Sequence, residues 1–141
     1  MYSNIILPLD GSEYAERALP VALRLLSDGE GPRNLHIIRV LEFGIGWTSN
    51  SVILAQEEGK KIAEDYLAGL ALGERAPGTR ITTEVHTGPS PAQVIADYAE
   101  KIQADLIVMT CHGRSGLSQF FVGSQTERTL RLAKCSILVV R

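Results

Sequence analysis

The chain has 141 residues, of which 45% are hydrophobic and 21% are charged, and its formal net charge is −2. This charge balance argues against a nucleic-acid-binding protein, and no apolar run approaches the roughly 18 residues that a membrane span needs. The N-terminal residues lack the charged start of a signal peptide. Cys111 and Cys135 match no metal-binding spacing and favour no disulfide, so a reducing cytoplasm is the expected location. We therefore expect one globular domain over residues 1–141 that binds neither nucleic acid nor membrane.

Short apolar runs alternate with longer segments of helical periodicity. The apolar run at residues 4–9 predicts a buried strand. Residues 14–26 predict a helix with Ala15, Ala18, Ala22 and Leu25 on one face. Pro20 lies inside this helix, where proline normally costs about 3 kcal/mol, so we expect a kink or a later helix start. Residues 35–40 predict the second strand, and the glycine-containing residues 42–50 predict a loop.

The middle of the chain carries clear helix signals. Residues 51–72 predict a long helix that ends at Gly73. Residues 80–87 alternate between apolar and polar side chains, as a half-exposed edge strand does. The stretch Ser90-Pro91-Ala92-Gln93 combines a capping serine, a proline in the first helical position and a glutamine three residues after the cap. It predicts a helix that continues to about residue 103.

The last third of the chain continues the alternation. Residues 105–110 predict a fourth strand, residues 124–132 a fourth helix and residues 136–140 a fifth strand. Nearly continuous apolar strands that alternate with helices predict a parallel sheet covered on both faces, with right-handed crossovers. Ligands of such sheets bind beyond the carboxyl ends of the strands, where the winding reverses.

The segment after the fourth strand is the strongest candidate for an anion site. It runs through Val108-Met109-Thr110-Cys111-His112-Gly113-Arg114-Ser115-Gly116 and resumes at Gly123-Ser124-Gln125-Thr126-Glu127. A glycine-bearing loop that leads into a helix N-terminus offers free backbone N–H groups and partial positive charge to a phosphate. Neither the Walker lysine nor GxGxxG spacing is present. The structural alternative is that Ser124 and Glu127 form a capping box and that the glycines only shape the loop.

Asp10 follows the first strand and is the candidate acidic residue of the site. If the first and fourth strands are neighbours, Asp10 faces the glycine loop across one cleft. Its carboxylate can there accept hydrogen bonds from a ribose or hold a metal ion. The alternative is that Asp10-Gly11-Ser12 forms only a turn and a helix cap.

Stretches spread over nearly the whole chain match one known family. They are Ile5-Ile6-Leu7-Pro8-Leu9-Asp10-Gly11-Ser12, Leu35-His36-Ile37-Ile38-Arg39-Val40, Ala104-Asp105-Leu106-Ile107-Val108-Met109, His112-Gly113-Arg114-Ser115-Gly116, Gly123-Ser124 and Cys135-Ser136-Ile137-Leu138-Val139-Val140. Together they resemble the universal stress protein family. The resemblance implies a single-domain, Rossmann-like α/β fold: an open parallel sheet of five strands in the order 3-2-1-4-5 with helices on both faces.

Many members of that family bind ATP through Gly-x-x-Gly, nine residues and Gly-Ser/Thr. Gly113, the nine residues that follow it, Gly123 and Ser124 fit this motif, but Thr110 stands in place of the first glycine. A β-branched residue is poorly tolerated at positive φ and adds bulk beside a phosphate. Thr110 either stays extended and offers its hydroxyl to the ligand, or it narrows the cleft. We expect ATP binding to be retained, because the later motif residues and Asp10 remain.

The resemblance also implies a role for each candidate residue. Adenine would lie against Pro8, Leu9 and the backbone of Val40, and the ribose near Asp10 and the Thr110 region. The phosphates would meet backbone N–H groups, the Ser124 hydroxyl and, loosely, Arg114. The implied ATP-binding residues are Pro8, Leu9, Asp10, Val40, Met109, Thr110, Gly113, Arg114, Gly123, Ser124, Gln125 and Thr126.

The function that these expectations favour is regulatory. The resemblance implies a cytoplasmic stress-response protein that binds ATP, with Mg²⁺, and acts as a nucleotide-dependent switch toward an unidentified protein partner. The main alternative is a nucleotide-independent dimeric interaction module of the same fold. No paired nucleophile and base is evident, so we expect no catalytic residue and at most slow ATP hydrolysis.

The final strand predicts a dimer interface. Its residues are almost wholly apolar, and in a 3-2-1-4-5 sheet it lies at an edge, where unpaired backbone groups invite another chain. Similar proteins commonly dimerise there, so we expect a two-fold homodimer in which this strand pairs with its copy. The interface residues would be Ile137, Leu138, Val139 and Val140.

Overall fold

A computed structural model describes residues 2–27, 31–43, 50–74, 76–111 and 123–141. Within these residues a five-stranded parallel sheet has the order β3-β2-β1-β4-β5. The strands are β1 (Asn4–Pro8), β2 (Arg33–Glu42), β3 (Thr79–Gly88), β4 (Leu106–Thr110) and β5 (Ser136–Val140). The predicted fold class and strand order are therefore confirmed.

Helices cover both faces of the sheet, which explains why the central strands are apolar throughout. The helices are α1 (Glu13–Glu16), α2 (Ala18–Ser27), α3 (Asn50–Gly73), α4 (Pro91–Lys101) and α5 (Ser124–Leu132). On one face, α1, α2 and α3 bury Ile5 and Leu7 of β1. On the other face, α4 buries Ile6 of β1 and Ile107 of β4, and α5 packs beside α4.

The helix expected at residues 14–26 is divided in two. Ser12 caps α1, since its Oγ accepts the Ala15 amide over 3.2 Å, and the chain turns at Arg17 before α2 begins. Pro20 is consequently the third residue of α2, where an amide has no acceptor within the helix. The expected later start is confirmed, and it removes the penalty that proline would carry in a helix interior.

The other element boundaries differ from expectation by small amounts. β2 extends two residues beyond each end of the predicted strand, so Glu42 belongs to the strand rather than to the loop. Ser90 caps α4 and Pro91 is its first residue, as predicted. The helix ends at Lys101, two residues early, because Gln103 adopts a left-handed backbone with φ of 54°. Among the described residues, no helix is both long and apolar enough to cross a membrane.

Candidate functional site

A cavity of about 380 Å³ opens at the carboxyl ends of β1 and β4. These strands are neighbours in the sheet, yet the helices that follow them pack on opposite faces. The two connections therefore diverge at the ends of the strands and leave a crevice between them. The cavity is lined by the ends of β1, β2 and β4 and by the first turns of α4 and α5. The lining residues are Pro8, Leu9, Asp10, Ala15, Val40, Glu42, Pro91, Ile95, Met109, Thr110, Gly123, Ser124, Gln125 and Thr126.

The structure brings together every predicted ATP-binding residue that it describes. Pro8, Leu9, Asp10, Val40, Met109, Thr110, Gly123, Ser124, Gln125 and Thr126 all line this cavity. Gly113 and Arg114 lie outside the described residues. Sequence reasoning missed four lining residues, which are Ala15, Glu42, Pro91 and Ile95. A signal existed for Pro91, because a crossover helix begins at the sheet edge where the preceding strand ends.

One wall of the cavity is apolar, and its side chains are largely buried. Leu9, Ile95 and Met109 are 4%, 4% and 7% exposed, and Pro8 and Val40 complete the wall. The Leu9 amide donates to the Ile38 carbonyl over 2.8 Å, which holds the end of β1 against β2. A wall of this kind suits a flat apolar or aromatic group.

Asp10 also lines the cavity and begins the turn that follows β1. Its Oδ1 accepts the Ser12 amide over 2.9 Å and the Ser12 hydroxyl over 2.6 Å. Gly11 has φ of +86°, a conformation that L side chains rarely adopt. The turn and cap offered as the structural alternative are therefore present. They occupy only Oδ1, since Oδ2 has no hydrogen-bond partner in the described part of the chain.

Thr110 ends β4 in extended geometry. It pairs with Val140 in the sheet, is 6% exposed, and its carbonyl accepts the Thr126 hydroxyl over 3.0 Å. Thr110 is the last residue of the strand and keeps its extended backbone, so positive φ is not required there. Of the two expected outcomes for Thr110, the extended backbone is the one found, and a contact of its hydroxyl with a ligand stays a prediction.

The start of α5 differs from the predicted capping box. Gly123 is the N-cap and makes no side-chain cap bond, while Ser124 is the first helical residue. Glu127 does not reach back to the helix start, because its side chain pairs with Arg131 at 2.7 Å. The capping-box prediction is wrong, since a serine inside the first turn cannot place its oxygen over the third amide. Ser124 is thus exposed at the cavity without a capping role.

Two features make this helix start suitable for an anion. The amides of the first turn of α5 lack acceptors within the helix and carry the positive end of its dipole. The Gly123 amide donates to the Cys111 carbonyl over 2.6 Å, which fixes the start of α5 against the end of β4. Beside them, the Oε1 atom of Gln125, which is an acceptor, is buried and has no hydrogen-bond partner among the described residues. The residues at this end of the cavity are therefore polar and incompletely satisfied.

The described residues offer little for a metal ion held by protein alone. They contain no group of three or more His, Cys, Asp or Glu side chains that could hold one. Asp10 and Glu42 are the acidic residues that line the cavity. One or two carboxylates suffice for Mg²⁺ only when substrate phosphates and water complete its coordination.

Solved structures of the same fold contain bound nucleotides. They include a universal stress protein in complex with cAMP (22% identity, TM-score 0.63) and one from Archaeoglobus fulgidus with dAMP (20%, 0.64). A third is an Arabidopsis thaliana protein of the family with AMP bound (15%, 0.69). The alignments cover 99%, 99% and 98% of this chain and 97%, 98% and 90% of those chains. At these identities the likeness establishes the shared fold.

Sequence comparison identifies the family. A profile of the universal stress protein family matches residues 1–141. A universal stress protein of Methanocaldococcus jannaschii is 32% identical over an alignment that covers 100% of this chain and 83% of the relative. The structure of universal stress protein UspA from Lactobacillus plantarum is 26% identical, covers 99% of this chain and 98% of its own, and superposes with a TM-score of 0.76. The chain belongs to the universal stress protein family.

Proposed function

We propose that this protein binds an adenine nucleotide, ATP with Mg²⁺, in the cavity between β1 and β4, and that the bound nucleotide regulates its interaction with a protein partner. The observation that carries the proposal is that an apolar wall, a turn with a carboxylate and the N-terminus of α5 line the same cavity. A nucleotide presents a flat base, a ribose with donor hydroxyls and an anionic chain. Each part has a matching surface here.

Different residues would contact the base, the ribose and the phosphates of the nucleotide. Pro8, Leu9 and Val40 would hold the adenine ring, and Asp10 Oδ2 would accept from the ribose hydroxyls. The first amides of α5 and the Ser124 hydroxyl would meet the phosphates. Mg²⁺ would be held chiefly by the phosphates and by water. Gly113 and Arg114 are proposed phosphate contacts from the resemblance alone.

The neighbouring structures support an adenine nucleotide. The proteins with bound cAMP, dAMP and AMP share this fold over nearly the whole chain. The adenine base is common to all three ligands, which agrees with an apolar wall as the shared recognition surface. The choice of ATP over these nucleotides rests on the match of Gly113, Gly123 and Ser124 to the family motif.

Isothermal titration calorimetry with ATP and Mg²⁺ tests the binding. We expect heat that saturates at or below millimolar ATP, a loss of at least about tenfold in affinity for Gly123→Val, and weaker binding of adenosine than of ATP. Gly69→Val is the matched control, because a Cβ at Gly69 meets nothing within 4 Å and the residue lies on α3. No heat with ATP, or equal affinities of the two valine variants, would contradict the proposal and favour the nucleotide-independent module.

We also propose that the protein forms a two-fold homodimer through β5. Among the described residues β5 pairs only with β4, and its other backbone edge is unpaired. Leu138 is 36% exposed on this strand. An edge strand with apolar side chains is stabilised when it pairs with a copy of itself. We propose a cytoplasmic location for this regulatory dimer. Any hydrolysis of ATP by the protein is expected to be slow.

A further inference from the structure

Arg39 lies directly behind the turn that carries Asp10. Arg39 lies two residues after Ile37, on the same face of β2, which packs against α1, α2 and α3. Ile38 and Val40 lie on the opposite face. Its whole guanidinium group rests on Gly11. A Cβ added at Gly11 would lie 2.7 Å from Nη1, 3.0 Å from Cζ and 3.2 Å from Nη2 of Arg39. The absence of a side chain at Gly11 therefore allows both the positive φ and this close contact.

The guanidinium group also lies over the ring of Tyr66 of α3. The Arg39 Cζ atom lies 5.7 Å from the centroid of the Tyr66 ring, within the range of a cation–π contact. The Tyr66 hydroxyl donates to Glu16 Oε1 over 2.7 Å, so the ring is anchored to α1. Burial, together with this hydrogen bond, raises the pKa of Tyr66, which keeps the hydroxyl protonated as a donor. We call Gly11, Arg39, Tyr66 and Glu16 the Arg39 clamp.

Arg39 is held by packing rather than by ion pairing. Its guanidinium group makes neither a hydrogen bond nor an ion pair with any residue that the structure describes. A half-buried guanidinium group without such partners contributes little to stability as a charge. Its contacts with Gly11 and Tyr66 instead restrict the one turn that connects β1 to α1.

We propose that Arg39 is a positioning residue that holds the Asp10 turn in the conformation facing the cavity, and that it links this turn to α3. The turn has its own hydrogen bonds from Ser12 to Asp10 Oδ1. Gly11 at its centre has no side chain to restrict the backbone and is exposed to solvent. Without the guanidinium group the turn samples more conformations. A ligand that needs Asp10 in place must then order the turn, which weakens its binding.

The first test needs no ligand. Hydrogen exchange of the Ser12 amide, measured by NMR, reports the bond to Asp10 Oδ1. We expect exchange to be about fivefold or more faster in Arg39→Met, which keeps the apolar stem and removes the planar cation. Arg39→Lys should behave like Arg39→Met, because a lysine cannot lie flat between Gly11 and Tyr66. Arg80→Met, an exposed arginine of β3, is the control and should leave the exchange unchanged.

The second test measures ATP affinity and rests on the proposed function. We expect Arg39→Met to weaken ATP binding about fivefold in the native background and to have no further effect in Asp10→Asn, because both changes act through the same carboxylate. If Arg39→Met does not fold, Tyr66→Leu removes the other side of the clamp and should give the same two results.

The outcomes separate the two proposals. Unchanged Ser12 exchange in Arg39→Met, or equal effects of Arg39→Met with and without Asp10, overturns the positioning role. Faster exchange in a protein that binds no ATP supports the positioning role and counts against the proposed function instead.

Discussion

The hydroxyl of Thr126 connects two elements of the cavity. It is 3% exposed, and its Oγ1 donates over 3.0 Å to the carbonyl of Thr110 at the end of β4. This carbonyl lies at the residue that replaces the first glycine of the family motif. The bond thus helps to keep Thr110 extended and sets the first turn of α5 against the strand.

Thr126→Val should destabilise the protein by about 1–3 kcal/mol, because the isosteric change leaves the hydrogen bond unmade in a buried place. Urea denaturation gives the free energy of unfolding. Thr87→Val, at an exposed position of β3, is the matched control and should stay within about 0.5 kcal/mol of the native protein. Equal stabilities of the two variants would show that the Thr126 bond is dispensable.

His36 belongs to a second polar cluster, on the α4 face of the sheet. Asn4 Nδ2 donates to the Ile102 carbonyl over 2.6 Å, so Asn4 Oδ1 is the acceptor that faces His36 Nε2 at 2.9 Å. His36 Nε2 therefore carries the proton, and Nδ1 accepts from the Thr82 hydroxyl at 3.0 Å. Burial lowers the pKa of His36; Glu84 opposes this effect and Arg80 adds to it. The folded protein thus favours the neutral ring.

The stability of the protein should decrease as the pH falls, because of His36. A histidine with a lowered pKa stabilises the fold fully above its unfolded value of 6.5, and this contribution is lost as the pH falls through the folded value. The free energy of unfolding, measured by urea denaturation from pH 8 to pH 5, should decline more steeply in the native protein than in His36→Gln. Parallel curves would argue that His36 has no such role.

At the scale of elements, two helices begin at the cavity in different ways. Ser90 caps α4, and its Oγ accepts the Gln93 amide, whereas α5 starts from Gly123 with no side-chain cap. The N-terminus of α4 is thus capped by its own sequence. The first turn of α5 is left open, and a ligand can satisfy its amides.

The two serines should therefore respond differently to alanine. Ser90→Ala removes a cap and should cost about 1 kcal/mol of unfolding free energy. Ser124→Ala should leave the free energy of unfolding unchanged or raise it by a few tenths of a kcal/mol, because Ser124 is not a cap and alanine has a higher helix propensity than serine. Urea denaturation measures both, and calorimetry should show weaker ATP binding for Ser124→Ala alone. A large loss of stability in Ser124→Ala would restore the capping interpretation.

At the scale of the whole molecule, the sheet has two unlike edges. β3 is long and half exposed, with polar residues along it, while β5 is short and apolar. Polar side chains on β3 disfavour pairing with another chain, whereas β5 has no such protection. The asymmetry is the physical reason to place the proposed dimer interface at β5.

Val139→Lys should convert the dimer to a monomer, because a charge on each copy would be buried against the other across the two-fold axis. Sedimentation velocity measures the mass. Thr87→Lys places the same charge on β3 and should leave the sedimentation coefficient unchanged. A stable dimer in Val139→Lys, or a monomer in both variants, would exclude β5 as the specific interface.

Much of the site could be predicted from the sequence because it depends on local signals. Apolar runs identify the strands, and in a parallel sheet their carboxyl ends meet at one edge, so Pro8, Asp10 and Thr110 could be assigned to one cleft. The strand order needed more than periodicity and came from the resemblance of the motifs. Boundaries were less secure, since Glu42 lies in β2 and Arg17 interrupts a predicted helix.

Tertiary structure alone decided which side chains meet. Ser124-Gln125-Thr126-Glu127 has the pattern of a capping box, but Gly123, whose amide donates to the Cys111 carbonyl, takes the N-cap position, and Ser124 becomes the first helical residue. The Arg39 clamp and the His36 cluster join side chains that are far apart in the chain. Sequence patterns report bonds within a few residues, because their geometry is set by the local backbone. Contacts between distant residues depend on how the layers pack, and this packing is not encoded at any one position.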